Sequence, residues 1–393
     1  MRIYKEAEKD FILEHLHEQL ATLMLQARRY PDLPVAELVQ QIQARQKAMS
    51  KLPVWAADPE LIFPANISVE QSSSEATAAF KASLVTGKLL VDLTGGFGAD
   101  SFYFSKSFEQ VIHVEQNQEL SEIANYNFGI LGASNIQTIA TTANQFLEGF
   151  TGYADVLYLD PARRGDRSEK LHLLQDCEPD ILNLLPVLFQ KADKVLLKAS
   201  PMLDIDLAIS QLRKVVKVWV VAVQNECKEV LYLLQQNPAV QPELEAVNIK
   251  ADGSISTFVF TGDQEQKATP PYSDPLTYVY EPNAAILKAG AYKSITQQFP
   301  VYKLHPNSHL YTSDTLLPDF PGRVFKCTGT SRYNKKELLA RLPRKQANIT
   351  IRNFPESVAS IRKKTGIREG GNLYLFFTTD MHQKPIVLFC EKV

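Results

Sequence analysis

Residues 89–100 read LLVDLTGGFGAD. Leu89, Leu90 and Val91 form an apolar run of strand type that meets Asp92 and then Thr94, Gly95, Gly96, Phe97 and Gly98. A strand delivered into a glycine turn, with a helix after it, lets backbone approach a bound ligand closely. Glycine accepts positive φ and carries no Cβ to block that approach. The segments downstream give the turn its meaning. Residues 111–114 (VIHV) are a second apolar strand ending in Glu115. That position, 17 residues past Gly98, suits a carboxylate that accepts hydrogen bonds from ribose hydroxyls. Residues 136–140 are a short third strand, followed by Asn144, which suits an adenine edge or a helix cap equally. Residues 155–159 (DVLYL) are a fourth strand, running into Asp160, Pro161, Ala162, Arg163 and Arg164. Pro161 confines Asp160 to extended backbone. The Asp160 carboxylate and the Pro161 carbonyl then fall at the carboxyl edge of a parallel sheet, where such folds bind ligands.

Residues 195–198 are a fifth strand ending in Ala199, Ser200 and Pro201, and 216–223 and 255–261 are predicted as the sixth and seventh. Strand and helix alternate, so the pattern predicts an α/β domain with a mostly parallel sheet and helices on both faces. Ahead of it, 1–65 reads as a helical region. Phe11, Ile12, Leu16, Leu20, Leu23 and Met24, then Val35, Leu38, Val39 and Ile42, recur at helical spacing. Residues 71–75 (QSSSE) are a capped helix start leading through 76–84 to the first strand. The α/β domain is placed at 66–264. A polar stretch with three prolines, 263–275, is read as a linker. Two further parts follow, 276–322 and 323–393. The second has the pattern of a small α+β unit: strand 324–327, helix 335–342, strand 349–352, helix 358–364, and strands 373–378 and 386–391.

A chain of 393 residues with 45% hydrophobic and 22% charged residues is globular and too long for one core. No apolar run approaches ~18 residues and the start, MRIYKEAEKDF, lacks an apolar leader core, so no membrane span and a cytoplasmic protein are expected. Cys177, Cys227, Cys327 and Cys390 are scattered, which fits thiols in a reducing compartment and neither a zinc site nor a disulfide frame. Pro306 and Asn307 separate His305 from His309 and argue for a turn, so no metal is expected. The net charge of -2 hides an asymmetry: 323–393 holds 15 Lys/Arg against 5 Asp/Glu, and the preceding residues hold 27 against 39. Arg332, Lys335, Arg344, Lys345, Arg352, Lys363 and Lys364 supply the basic face, which fits either a polyanionic partner or a solvated surface.

A glycine turn with a strand-end acid serves two ligands, a nicotinamide dinucleotide or S-adenosylmethionine. The dinucleotide fingerprint wants glycine or alanine where Ser101 stands, and Asp92 is unwelcome near a pyrophosphate. Asp92 suits a cationic methionyl amino group, and the DPARR stretch has no role in hydride transfer. S-adenosylmethionine is therefore favoured.

Together VDLTGGFGAD, HVE and LDPARR resemble the class I S-adenosylmethionine-dependent methyltransferases, with their Rossmann-like sheet. The segments YEPNAAILKAGAY, NITIRNFP and GIREGGNLYLF resemble a bacterial subgroup that carries a ferredoxin-like segment and a THUMP-like domain. The resemblance runs from about residue 70 onward. It implies that Asp92, Thr94, Gly95, Gly96 and Gly98 line the methionine end of the cofactor, that Glu115 holds the ribose and Asn144 the adenine. Asp160, also counted among the cofactor-binding residues, would with Pro161 and Arg163 face the methyl acceptor. THUMP domains accompany RNA modification, so the resemblance implies tRNA or rRNA as substrate. Amino-methyltransferases of this class carry Asp/Asn-Pro-Pro-aromatic at the fourth strand. Here Ala162 and Arg163 replace the last two, so the stacking platform is absent. Carbon-5 methylation of pyrimidines needs a cysteine nucleophile, and the fifth strand ends without one. Arg163 and Arg164 suit a phosphate clamp or a loop-fixing salt bridge. The alternatives to an RNA methyltransferase are a methyltransferase of small molecules or proteins, and a non-catalytic RNA-binding protein that keeps the cofactor pocket.

Overall fold

The computed structural model describes residues 2–64, 66–163, 174–238, 241–342 and 344–393, the side chains of 66–68 and 163 excepted. The chain divides into two compact units. One is Met1–Val218 with Glu229–Val240, and the other is Trp219–Lys228 with Gln241–Val393.

The first unit is built on β1 (Gly87–Asp92), β2 (Phe108–Glu115), β3 (Ile136–Ala140), β4 (Ala154–Leu159), the two-residue strands β5 (Ala162–Arg163) and β6 (Cys177–Glu178), and β7 (Ala192–Ala199). β1 pairs in parallel with both β2 and β4, β2 with β3, and β4 with β7. Helices Ala99–Phe104, Gln118–Ile130, Ala143–Gly149 and Ile181–Lys191 alternate with these strands. The strand order β7-β4-β1-β2-β3 reverses direction between β1 and β4. At such a switch point the two loops leave the sheet in opposite directions and open a crevice at the carboxyl ends of the strands. The glycine turn follows β1 and Asp160 follows β4, so both fall there.

The alternation does not continue past β7. β8 (Val215–Val223) and β9 (Glu226–Gln235) are joined by Gln224 and Asn225 alone, at φ 50 and 66. Two positive φ values in a two-residue connection are hairpin geometry, and β9 runs antiparallel to β7. The sequence shows only a sixth and a seventh strand here, because Gln-Asn lacks the usual glycine signal.

N-terminal helices Glu6–Glu14, Leu20–Leu25 and Val35–Ala48 bury Phe11, Ile12, Leu23, Leu38 and Ile42 against one another. A second cluster joins this region to the sheet domain: Trp55 and Phe63 meet Phe97 edge-on or tilted, with ring centroids 5.1 and 5.4 Å apart. Asn127 seals the junction by accepting the Ile62 N–H and donating to its carbonyl. Arg45, buried, donates to the carbonyls of Ala56, Asp58, Pro59 and Leu61, which shapes the connector that the prolines only marked.

In the second unit β10 (Glu243–Ile249) and β11 (Ile255–Thr261) pair antiparallel. The expected linker begins instead as a helix, Gly262–Lys267, closed by a Thr261/Gln264 capping box. Glu265 then accepts the backbone N–H groups of Tyr292, Lys293 and Ser294. Its polar residues are satisfied by the capping box and by backbone 27–29 residues further along, which composition alone does not show. Next comes a seven-stranded sheet of β12 (Tyr278–Pro282), β13 (Tyr302–Lys303), β14 (Tyr311–Ser313), β15 (Gly322–Arg332), β16 (Asn348–Arg352), β17 (Leu373–Thr379) and β18 (Pro385–Lys392). Period-two alternation gives it two apolar faces. Leu375, Phe377, Val387 and Phe389 meet Leu338, Leu342 and Ile361 on one; Phe376, Leu388 and Cys390 meet Val279, Leu304, Leu310 and Phe325 on the other.

Candidate functional site: the switch point of the parallel sheet

The turn after β1 is shaped from beneath. Gly96 and Gly98 sit at φ 56 and 93, where a side chain would be strained. A Cβ on Gly98 would come within 2.5 Å of the Phe128 ring, and one on Gly95 within 2.2 Å of the His113 ring. At Gly96 only the Thr94 carbonyl, 3.9 Å away, approaches the Cβ position, so the cradle opens outward there. Phe97, between the last two glycines, points into the aromatic cluster of Trp55 and Phe63 and anchors the turn. The region after the N-terminal helices thus packs against the turn, in keeping with the packing role expected of it.

Asp92 lies under the turn, fully buried. Its Oδ1 accepts the Thr94 N–H at 3.1 Å and its Oδ2 the Ser101 hydroxyl at 2.6 Å. Burial raises its pKa to about 7, assisted by nearby Asp100 and opposed by these two bonds. Asp92 therefore shapes the turn through Thr94 and Ser101. Ser101 Oγ also lies 3.0 Å from His113 Nδ1. Burial depresses His113 to about 3, so the ring is neutral.

Glu115, at the end of β2, accepts the Gly96 N–H at 2.9 Å on Oε2 and the Asn117 N–H at 2.8 Å on Oε1. It fastens the glycine turn to the second strand. Asn144 is exposed in the first turn of its helix, and the cap is Thr142. Across the switch point, the Asp160 N–H donates to Thr94 Oγ1 at 2.6 Å, tying the fourth-strand motif to the first turn. Arg163 has its backbone in β5, while its side chain and the whole of Arg164 lie outside the described residues.

A buried charge network backs Asp160, and sequence reasoning missed most of its members. Lys198, on β7, is ion-paired with Asp160 Oδ2. Lys81, 0% exposed, donates to both oxygens of Glu229 at 2.9 Å and to Ser73 Oγ at 3.1 Å, and lies 3.2 Å from Asp100 Oδ1. Ser73 and Tyr158 donate to Asp100 Oδ2 at 2.8 and 2.7 Å, and Ser73 Oγ is 3.4 Å from Lys198 Nζ. Burial pushes the Asp100 carboxyl up, but Lys81, Lys198 and the two hydroxyl donors outweigh it and hold it below its usual range. Burial alone would lower the Lys198 ammonium; Asp160, Asp100 and Glu229 reverse that and raise it. Lys198 is thus a fixed cation beside Asp160. A lysine one residue before a strand's end carries no signal in one sequence, and the pairing with Asp160 exists only because β4 and β7 are neighbours.

In the second unit Arg332, Lys335, Arg344, Lys345 and Lys363 are exposed. Lys364 pairs with Glu356 at 2.8 Å. Arg352 pairs with buried Glu281 at 2.8 Å, and Arg323 holds the other oxygen of the same carboxylate. Arg352 is therefore part of a buried-carboxylate clamp, unlike the exposed cations around it. Arg368, not singled out from sequence, joins Arg344 and Lys345: its N–H donates to the Lys345 carbonyl at 2.9 Å and its guanidinium to that of Arg344 at 3.4 Å. His305 Nδ1 accepts the Asn307 N–H and its Nε2 lies 3.0 Å from Gln383, while His309 stacks on Tyr292 at 3.7 Å. Among the described residues no group of three or more potential ligands could hold a metal, and no helix is long and apolar enough to cross a membrane.

A parallel sheet with a glycine turn and strand-end carboxylates at its switch point, followed by a separate α+β unit, is the architecture of a multidomain α/β methyltransferase. The chain is 32% identical, over 100% of both chains and with a TM-score of 0.89, to a Porphyromonas gingivalis W83 protein provisionally assigned as a methyltransferase, and it belongs to that family. Residues 278–321 match a ferredoxin-like domain and 322–392 a THUMP domain-like model. An rRNA methylase from Streptococcus thermophilus is 11% identical over 41% of this chain and 93% of that one, with a TM-score of 0.31. A Streptococcus mutans protein, provisionally assigned as a methyltransferase and in complex with SAH, is 13% identical over 40% and 95%, also at 0.31. Likeness at that level carries no argument. A search of curated proteins returned no match.

Proposed function

We propose that this chain is a class I S-adenosylmethionine-dependent methyltransferase that modifies RNA, tRNA or rRNA, with Asp160 on the acceptor side. The observation that carries the reading is the meeting of Glu115, the open cradle at Gly96 and Asp160 at the carboxyl ends of adjacent parallel strands. The residues fit the cofactor. An outward-facing glycine admits close backbone contact, and Glu115 supplies a carboxylate for ribose hydroxyls beside it. Bound there, S-adenosylmethionine supplies an activated methyl group for in-line displacement.

The protein's part is positioning. Thr94 holds the Asp160 backbone against the glycine turn, which fixes the distance between cofactor and acceptor sides. Lys198 turns Asp160 Oδ2 inward. The carboxylate, one-third exposed, accepts an acceptor N–H or O–H through Oδ1 and aims its lone pair. RNA as the substrate is supported by the THUMP domain-like match and by the basic bias of 323–393, with Arg332, Lys335, Arg344, Lys345 and Lys363 at the surface.

Two measurements test this. Calorimetric titration with S-adenosylmethionine is expected to show micromolar binding, and its absence with and without RNA would end the enzyme reading. Transfer of labelled methyl to unmodified tRNA and rRNA transcripts is expected to fall at least a hundredfold in Asp160→Ala, with cofactor binding retained. Full activity in that variant would remove Asp160 from the mechanism.

A further inference from the structure

Cys327 and Cys390 are far apart in sequence but stand directly opposite each other in the antiparallel ladder of β15 and β18. The Cys327 N–H points the other way, donating to the Thr277 carbonyl at 2.9 Å. The two cysteines are therefore a non-hydrogen-bonded pair. At such positions opposed Cα atoms approach to about 4.5 Å and the side chains lie closest. That separation is the short end of the range a disulfide spans. Cys327 Sγ donates only weakly, to the Gly329 carbonyl at 3.7 Å. The ladder also slips register between Cys327 and Gly329, an irregularity that gives β15 local room to adjust.

The two sulfurs differ in the way a sequential reaction needs. Cys327 is partly exposed, whereas Cys390 is fully buried in the apolar layer with Phe376 and Leu388. The bond from Cys390 lowers the Cys327 thiol to about 7, against the effect of burial, and the same contact with burial raises Cys390. One sulfur is partly exposed with its pKa lowered; its neighbour is buried with its pKa raised.

We propose that Cys327 and Cys390 form a reversible oxidation site, in which a low-molecular-weight disulfide such as oxidised glutathione converts the pair into a cross-strand disulfide. The Cys327 thiolate attacks one sulfur of the small disulfide, forming a mixed disulfide and releasing one small thiolate, which takes a proton from water. Cys390 then gives up its proton, its sulfur attacks that of Cys327, and the second small thiol leaves carrying a proton. In all the protein loses two protons and two electrons, and the small disulfide gains both. The link fastens the C-terminal strand to β15 within the THUMP domain-like unit. It is independent of the methyltransferase reading.

The test uses the full chain with oxidised glutathione, an acid quench, thiol counting and peptide mapping without reduction. The wild type is expected to lose two of its four thiols and 2 Da, to yield a Cys327–Cys390 peptide, and to recover with dithiothreitol. Thiol loss is expected to rise about tenfold from pH 6 to pH 8 and then level, following a thiol near 7. Cys390→Ser is expected to hold glutathione on Cys327 as a stable adduct, and Cys327→Ser to leave Cys390 unreacted. The proposal is overturned if the wild type keeps four thiols, stops at the adduct, or links other cysteines. Should either variant fail to fold, the wild-type peptide map decides alone.

Discussion

Replacing Lys81 with methionine tests the buried network behind the site. Methionine keeps the length and apolar volume of the stem, so the loss is mainly that of the ammonium. Lys81 is 0% exposed and Glu229 3%, with both Glu229 oxygens 2.9 Å from the amine. Removing one partner of so buried a pair leaves the other charge uncompensated, a cost of about 3–5 kcal/mol. Exchanging both for apolar residues removes the desolvation along with the attraction, and is often near neutral. Lys81→Met is thus expected to lose about 3–5 kcal/mol, while Lys81→Met with Glu229→Met loses at least ~2 kcal/mol less than the two single changes summed. The sign with pH comes from Glu229. Burial raises its pKa even with Lys81 present, so in Lys81→Met the folded state holds that proton more tightly than the unfolded chain. The penalty is then smallest at acid pH and grows as pH rises through the raised pKa. The assay is urea unfolding at several pH values in a Trp219→Phe background. That change leaves Trp55 as the one tryptophan, a reporter of the first unit. Single costs that add within about 0.5 kcal/mol in the double variant would refute the coupling.

Asp92 offers a second pH test. Its folded pKa of about 7, against 3.8 unperturbed, means that the folded state keeps a proton the unfolded chain has lost. Stability from this group therefore falls as pH rises from about 4 to about 7, by about 4 kcal/mol in all. Asp92→Asn is expected to gain on the wild type progressively across that window, and a difference constant from about pH 4.5 to about pH 8 would contradict it. For RNA, Arg344→Glu with Lys345→Glu is expected to weaken binding and flatten the slope of log affinity against log salt by roughly 0.7–0.9 per lost phosphate contact. Arg352→Ala is expected instead to lower stability, since Glu281 keeps Arg323 alone, with the salt slope unchanged. The reverse pattern in filter binding and thermal melts would reassign both.

How much was legible depended on range. The glycine turn, Glu115 and Asp160 were readable because each is a local statement: a residue type fixed at the end of an apolar strand. The strands and helices of 322–393 were readable for the same reason, their apolar period switching between two and about 3.6. The β8–β9 hairpin was not, because its turn is made by Gln224 and Asn225, which tolerate positive φ without advertising it. The helix Gly262–Lys267 was hidden within polar composition, since a capping box and a carboxylate held by three N–H groups look like a linker in one dimension.

The sequence by itself determined the class of the sheet and the strand ends at which the glycine turn, Glu115 and Asp160 stand, because strand ends and turns are encoded by neighbours along the chain. Only the tertiary structure decided which groups meet at long range. It placed Phe97 under Trp55 and Phe63, put Lys198 on Asp160 and Lys81 between Asp100 and Glu229, and committed Arg352 to Glu281 while leaving Arg344 and Lys345 at the surface. These contacts join residues from strands adjacent in the sheet and from helices packed beside them. Lateral neighbours are set by strand order, and no one-dimensional period records that order.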